Sequence, residues 1–240
     1  MNTPLDSQRG FCRKRWHRFA LAGVLALLPA LAAGCNVVTA GMYIVEGPPS
    51  IDPAYELDTE RLSMVFVDDP GNTLPRREMR LTIASEVQRR LLEIVKLTNV
   101  IETRDAINIA DASRSSKLRS VVSIGREASR NRPGPVEQLI YARIDGFALG
   151  AVDGASMPTA AVTVMVFDAK LDARIWPDPQ RVPEGFQFRV AIPQRVNRAP
   201  TNRADLEAAQ NAFALKIGEA IAQCFYKHDR TESLIQGGRR

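Results

Sequence analysis

The sequence has few of the residues that carry most enzyme chemistry. Its 240 residues include two histidines and three cysteines, and aromatic residues make up 6%. His17 lies in a basic N-terminal segment, so a Ser-His-Asp or Cys-His arrangement would have to use His228. There is no Gly-rich phosphate loop of the Walker or dinucleotide type. We therefore predict a non-enzymatic protein without a cofactor or a metal ion.

The first 34 residues have the pattern of a secretory signal. Five cationic residues precede an uncharged apolar run over residues 19–33, which is shorter than the about 20 residues of a membrane-spanning helix. The run ends in Ala32-Ala33-Gly34-Cys35, which resembles the lipobox of bacterial lipoproteins. That resemblance implies cleavage after Gly34 and a diacylglycerol on the thiol of Cys35. An ordinary secreted protein and an uncleaved anchor are the alternatives.

The net charge does not indicate a nucleic-acid-binding protein. The whole chain carries +5, but residues 1–34 hold five Lys or Arg and one Asp, which leaves about +1 for the mature chain. A DNA-binding domain needs a clustered cationic face. We therefore expect no nucleic acid partner.

Asn36 follows the cysteine that the lipobox resemblance predicts to be lipidated. In the sorting pattern of lipoproteins, an Asn at this position favours the outer membrane over the inner one.

Only Cys224 is then left in the mature domain, so no disulfide can form within one chain. It lies in an apolar pattern with helical spacing and is predicted to be a small buried residue. Cys224 and His228 are four residues apart and are expected on one face of the last helix. Two ligands alone are too few for a zinc site.

The proline pattern predicts the domain organisation. Gly47-Pro48-Pro49 interrupts both helix and strand, so residues 35–60 are interpreted as a tether after the signal of residues 1–34. Residues 61–228 form the folded domain in this interpretation. Residues 229–240, which end in Gly-Gly-Arg-Arg, are predicted to be a flexible tail.

Hydrophobic periodicity predicts an α/β (α+β) domain with one mixed or antiparallel sheet of about four to five strands, flanked by helices, in the order β-α-(α)-β-β-β-α. The strands are predicted at residues 61–69, 138–150, 158–168, 173–176 and 185–193. The helices are predicted from a cap at Thr73 to about residue 98, over about 115–129 and over about 204–227. Asn202, with Asp205 three residues on, resembles a capping arrangement for the last helix. Strict alternation in the second strand places Tyr141, Arg143, Asp145, Phe147 and Leu149 on one face. In the strand at 185–193, the same alternation places Phe186, Phe188, Val190 and Ile192 on one face and Gln187 and Arg189 on the other.

Three stretches resemble a group of envelope proteins: MVFVDD at residues 64–69, LIYARIDGF at 139–147 and VTVMVFDAKLDARIW at 162–176. The group comprises the LpoB-like lipoprotein activators of penicillin-binding proteins, the CsgG-like curli-secretion lipoproteins and the N-terminal domain of TolB. The resemblance spans about residues 61–228 and consists of apolar patterns. It implies an envelope lipoprotein domain and assigns no functional residue.

The predicted function is that of a lipid-anchored adaptor or assembly factor of the cell envelope. It would contact the membrane through the lipid on Cys35 and bind another envelope protein. Trp176, Phe186 and Phe188 are candidates for that contact, because aromatic residues often anchor interfaces. The adjacent Asp68 and Asp69 are interpreted as turn residues, with an acid/base or cation-binding pair as the alternative. A subunit of an oligomeric secretion or transport assembly and an envelope hydrolase are the rival functions.

Overall fold

The computed structural model describes residues 49–115, 121–129, 135–149, 158–192 and 200–237, with the backbone alone at 110–115, 122 and 129. The chain divides into two units, Met1–Pro49 and Ser50–Arg240. The description below concerns the second unit. The signal sequence, Gly34 and Cys35 lie outside the described residues.

One mixed sheet of six strands forms the centre of the domain. The strands are β2 (Ser63–Asp68), β3 (Gln138–Ala148), β4 (Thr159–Asp168), β5 (Ala173–Trp176), β6 (Phe186–Ala191) and β8 (Ile235–Gln236). Their order is β2-β3-β4-β6-β8, and β5 pairs with the end of β4 beyond β6. β2 and β3 are parallel, whereas the other pairs are antiparallel. The predicted fold class is confirmed.

In the described residues, four α-helices accompany the sheet. They are α1 (Met79–Arg90), which continues as a π-helical turn over Leu91–Val95, α2 (Thr103–Ser115), α3 (Val121–Ser129) and α4 (Arg203–Gln223). The side chain of Asn202 caps α4 by accepting a hydrogen bond of 2.8 Å from the Asp205 N–H, as the sequence predicts. Thr73 does not cap α1, because Asp69 binds the Thr73 N–H in a turn and the helix begins later, at Met79.

Helices α1 and α4 cover one face of the sheet along its length. Ile83 and Val87 of α1 and Ile217 and Ile221 of α4 are fully buried against the inward valines and isoleucines of the strands. The two helices approach closely at Gly218, where an added Cβ would lie 2.7 Å from the Ile83 carbonyl oxygen. The absence of a side chain at this position therefore allows the helices to pack together.

The other face of the sheet has two different ends. At one end, apolar side chains of β2 and β3 are buried beneath α2 and α3, and they include Met64, Phe66, Leu139 and Tyr141. At the other end, the same strands and their neighbours carry polar side chains. We call this second region the open end, and it consists of Arg143, Asp145, Thr163, Gln187, Arg189 and Gln236.

A bulge in β3 changes the predicted face of Phe147 and Leu149. The ladder with β4 shifts between Ile144 and Gly146, so the alternation gains one residue at Asp145. Phe147 consequently packs on the α4 side, 5.3 Å from the Phe213 ring, and Leu149 packs on the same core. The prediction that both residues share a face with Tyr141 and Arg143 is wrong.

The ends of the domain pair with each other. β1 (Ser50–Ile51) is antiparallel to β7 (His228–Asp229), and the N–H groups of Ala54 and Tyr55 bind the Cys224 carbonyl oxygen at 2.8 and 3.2 Å. The folded domain therefore begins at Ser50, within the predicted tether.

The predicted flexible tail is also corrected. Residues 228–237 contain β7, a 3₁₀ turn (Arg230–Glu232) and β8, and β8 pairs with β6. The Gln223 side chain holds this segment, because its amide donates to the Glu232 carbonyl oxygen at 2.9 Å and accepts from the Leu234 N–H at 2.9 Å. Polar composition alone suggested fraying, whereas these side-chain-to-backbone bonds provide specific attachment.

Candidate functional site

The predicted aromatic contact surface is mostly core. Phe186 and Phe188 are 5% and 3% exposed, and only Trp176 is partly accessible. The Trp176 ring lies 5.1 Å from that of Phe186 and 5.7 Å from that of Tyr55. A cleft of about 320 Å³ beside it is also lined by Arg181. The role of these residues in partner binding stays a prediction, and Trp176 is the member of the set that a partner would reach.

Asp68 and Asp69 have separate structural roles. Asp69 accepts hydrogen bonds from the N–H groups of Thr73 and Leu74 at 2.8 and 3.0 Å, and so organises the turn before α1. Asp68 accepts from the Tyr141 hydroxyl at 3.0 Å on the sheet face. The Asp69 contacts are those of a turn residue.

Asp168 organises the hairpin between β4 and β5. One carboxylate oxygen accepts from the N–H groups of Lys170 and Leu171 at 2.8 and 2.9 Å, and the other accepts from Arg61 at 2.9 Å. Burial would raise the pKa of Asp168, but these hydrogen bonds and the Arg61 charge outweigh it, so the pKa is lowered. The group is held as a carboxylate by its contacts. Asp172, at the tip, pairs with Arg126 at 2.8 Å.

Cys224 and His228 do not share a helix face. α4 ends at Gln223, and His228 belongs to strand β7. The Cys224 thiol is buried, and burial strongly raises its pKa, so that it stays protonated and a poor nucleophile. Nδ1 of His228 lies 3.1 Å from the Tyr226 carbonyl oxygen. The predicted burial of Cys224 is confirmed, and the shared helix face is wrong because the helix ends before His228.

The open end forms a cleft of about 740 Å³ over the sheet. Cross-strand pairing aligns Arg143, Thr163 and Gln187 in one row, and Ala161, Arg189 and Gln236 in the next. No sequence motif indicates this cleft. The alternation in β6 gave one signal, because it placed Gln187 and Arg189 opposite the buried phenylalanines.

Asp145 lies at the bulge and connects the β3 and β4 sides of the open end. It binds Nε of Arg143 at 2.6 Å through one oxygen and accepts from the Thr163 hydroxyl through the other. Both carboxylate oxygens are therefore engaged. The bond to Asp145 holds the Arg143 side chain through Nε. The two terminal guanidinium nitrogens make no hydrogen bond or ion pair with the rest of the described chain.

Across the described ranges, no three His, Cys, Asp or Glu side chains converge as a metal cluster would require. Of the helices in the described part of the chain, none combines the length and the apolar character needed to cross a bilayer.

Comparisons with known proteins give only distant likenesses. No family model matches the chain, and no curated protein matches it. Among solved structures, it is similar to a PelC dodecamer from Paraburkholderia phytofirmans, with 9% identity, TM-score 0.39 and coverage of 74% of this chain and 97% of that one. It is also similar to the hypothetical protein CT253 from Chlamydia trachomatis, with 16% identity, TM-score 0.41 and coverage of 70% and 94%.

A third similar structure is the lipoprotein GNA1162 from Neisseria meningitidis, with 12% identity, TM-score 0.35 and coverage of 67% and 99%. The solved structures similar to this chain thus include a lipoprotein. At these values, the likenesses support no argument about activity, partners or assembly.

Proposed function

We propose that this chain is a lipid-anchored, non-enzymatic protein of the bacterial cell envelope, and that its α/β domain binds another envelope protein. The observation that carries the proposal is the signal pattern of residues 1–34 followed by Cys35. The lipid would hold the domain at the membrane surface and raise its effective concentration near membrane-bound partners. Asn36 supports placement at the outer membrane.

The contacts of the reactive side chains support a binding function. The Cys224 thiol is buried and protonated, and both oxygens of Asp69 and of Asp168 bind backbone N–H groups or Arg61. A catalytic carboxylate or thiol needs access to a substrate and a suitable pKa. These groups are instead used to build turns and core, so we assign the domain to binding.

The experiment is the intact mass of the protein extracted from membranes, measured for the native chain, Cys35→Ser and Cys12→Ser. We expect the native chain to begin at Cys35 and to carry acyl chains. Cys12→Ser is the matched control, since Cys12 would be removed with the signal, and its mature mass should equal that of the native protein. Cys35→Ser should carry no lipid.

The result that contradicts the proposal is equally specific. An unlipidated native chain, or one cut at another residue, would remove the anchor.

Separation of inner and outer membranes then tests the placement, which Asn36→Asp is expected to shift toward the inner membrane. For the binding role, photo-crosslinking in cells from position 176 should give a discrete envelope-protein adduct in the native chain and a weaker one in Cys35→Ser.

A further inference from the structure

The open end of the sheet has an excess of hydrogen-bond donors. Asp145, the carboxylate among these six residues, is already bound to Arg143 and Thr163. Asp68 of β2, which is in register with Arg143, is bound to the Tyr141 hydroxyl. Within the part of the chain that the structure describes, the side chains of Gln187, Arg189 and Gln236 make no hydrogen bond or ion pair with protein groups. A guanidinium has five N–H donors and no acceptor. A ligand that fits this cleft must therefore be rich in acceptors and negatively charged.

We infer that the open end binds an acidic, extended peptide segment of an envelope partner. One carboxylate of the segment binds the Arg189 guanidinium, and a second binds the terminal nitrogens of Arg143. The amides of Gln187 and Gln236 donate to its backbone carbonyl groups. This inference deepens the proposed binding function, on which it rests, because it specifies the chemistry of the partner.

The spacing of the two arginines fits such a segment. β3 and β6 lie on either side of β4, so they are about 10 Å apart, and Arg189 is two positions along from the row of Arg143. The two Cα atoms are consequently about 12 Å apart. Acidic side chains at alternate positions of an extended peptide share one face and lie about 7 or 14 Å apart. Two flexible arginine side chains cover this range.

The floor of the cleft allows a backbone to come close. Ala161 faces the cleft, and its cross-strand neighbour is Gly146 at the bulge. Even an added Cβ on Gly146 would make only ordinary contact with Ala161, at 3.8 Å. Gly146 and Ala161 lie in the same row as Arg189, next to the row of Arg143. These two small residues leave a shallow depression in the floor of the cleft. The cleft volume of about 740 Å³ suits a ligand of a few residues.

The charge distribution favours a short acidic peptide over a polyanion. Among the residues that the structure describes, the open end has two arginines, and one of them is partly neutralised by Asp145 at 2.6 Å. Nucleic acids and anionic membranes are bound through larger arrays of cations, of roughly 4–10 groups. Two guanidinium groups match two carboxylates, and the fork of each can bind a carboxylate through two parallel hydrogen bonds.

The test uses the mature lipidated chain in non-ionic detergent and a decapeptide of alternating Asp and Thr that carries an uncharged dye. Fluorescence anisotropy measures Kd at low salt. We expect binding of this peptide and none of the matched peptide with Asn in place of Asp. Arg189→Gln should raise Kd about tenfold or more, and Arg189→Lys should fall between, because it keeps the charge and loses the fork.

Arg181→Gln is the matched control variant, because it removes the same charge from a side chain that is 86% exposed and lies in the other cleft. Its Kd should equal that of the native chain. The inference is overturned if native protein does not bind the Asp peptide, if the Asn peptide binds equally well, or if Arg181→Gln and Arg189→Gln weaken binding alike. Inorganic phosphate that competes at micromolar concentration would also overturn it in favour of a small-anion site.

The failures of the two proposals are distinguishable. A lipidated chain that ignores the Asp peptide overturns the inference about the open end and leaves the anchored binding role intact. An unlipidated chain that binds the peptide through Arg189 removes the anchor and leaves the peptide site. Far-ultraviolet circular dichroism of Arg189→Gln should match the native spectrum, because Arg189 is exposed and its side chain makes no hydrogen bond or ion pair within the described chain.

Discussion

The two ends of one sheet face are built from the same strands and have opposite properties. Along β3, buried Leu139 and Tyr141 are followed on the same face by the polar Arg143 and Asp145. β4 is antiparallel to β3 and shows the same change of polarity along this face. Its Phe167 and Met165 lie beneath the helices, and its Thr163 lies in the open end. The change in polarity coincides with the limit of the cover given by α2 and α3.

The two ends differ in whether their side chains stabilise the fold or are available for the proposed binding function. At the covered end, side chains gain by leaving water, and their identity is constrained by packing. At the open end, polar groups lie on a sheet whose opposite face packs against α1 and α4. Packing in the core therefore does not constrain which side chains occupy the open end. A binding surface built on strands holds its side chains more precisely than one built on loops.

The largest expected effect comes from a truncation at the covered end. Phe66→Ala should lower the free energy of unfolding by about 3–5 kcal/mol, because Phe66 is 1% exposed and its ring packs 5.9 Å from that of Tyr141. Gln187→Ala, on the same face at the open end, should change it by less than about 0.5 kcal/mol. Urea unfolding of the mature chain measures both. Equal losses in the two variants would mean that the open end is covered in the native protein.

A smaller loss in the free energy of unfolding is expected from a substitution on the opposite face of the sheet, where α1 and α4 pack together. Gly218→Ala places a Cβ 2.7 Å from the Ile83 carbonyl oxygen and 2.8 Å from Cβ of Glu86, so α1 and α4 must move apart. We expect a loss of about 1–3 kcal/mol. Gly146→Ala is the control, since its Cβ meets only Ala161 at an ordinary distance. An unchanged melting temperature for Gly218→Ala would contradict the close helix contact.

The smallest effect concerns pH. The pKa of Asp168 is lowered by folding, so its contribution is present above the ordinary carboxyl value near 3.8 and is lost as pH falls through the folded pKa. Asp168→Asn should cost about 1–2 kcal/mol at pH 7 and flatten the acid side of the stability curve. Asp172→Asn is the matched control in the same hairpin, because Asp172 is 51% exposed and pairs with Arg126 at the surface, so the free energy of unfolding at pH 7 should change by less than about 0.5 kcal/mol. Thermal unfolding between pH 2 and 7 checks this, and parallel curves for native protein and Asp168→Asn would refute it.

Local patterns predicted the sheet well. The alternation of Phe186, Phe188 and Val190, the hairpin after Asp168 and the cap at Asn202 are all present as the sequence indicates. Each of these depends on neighbours within a few residues. The burial of Phe186 and Phe188 follows from the same alternation, which is why these side chains are core rather than surface.

The errors arose where distant contacts decide the structure. A bulge at Asp145 depends on pairing with β4, and no periodicity within β3 reveals it. The end of α4 and the order of residues 229–237 depend on Gln223, whose side chain binds backbone groups of a later segment. The open end likewise combines residues from four strands that are far apart in sequence. Its chemistry exists only after the strands pair.

The pairing of β1 with β7 has a mechanical consequence. A pull on the chain that precedes Ser50 loads a ladder of two residue pairs, then the two hydrogen bonds to the Cys224 carbonyl oxygen, and reaches the core last. Release of residues 50–55 would lengthen the connection by about 20 Å, at about 3.3–3.6 Å per extended residue. Force can therefore lengthen this connection while the strands of the central sheet stay paired, at the loss of the contact between the Tyr55 and Trp176 rings.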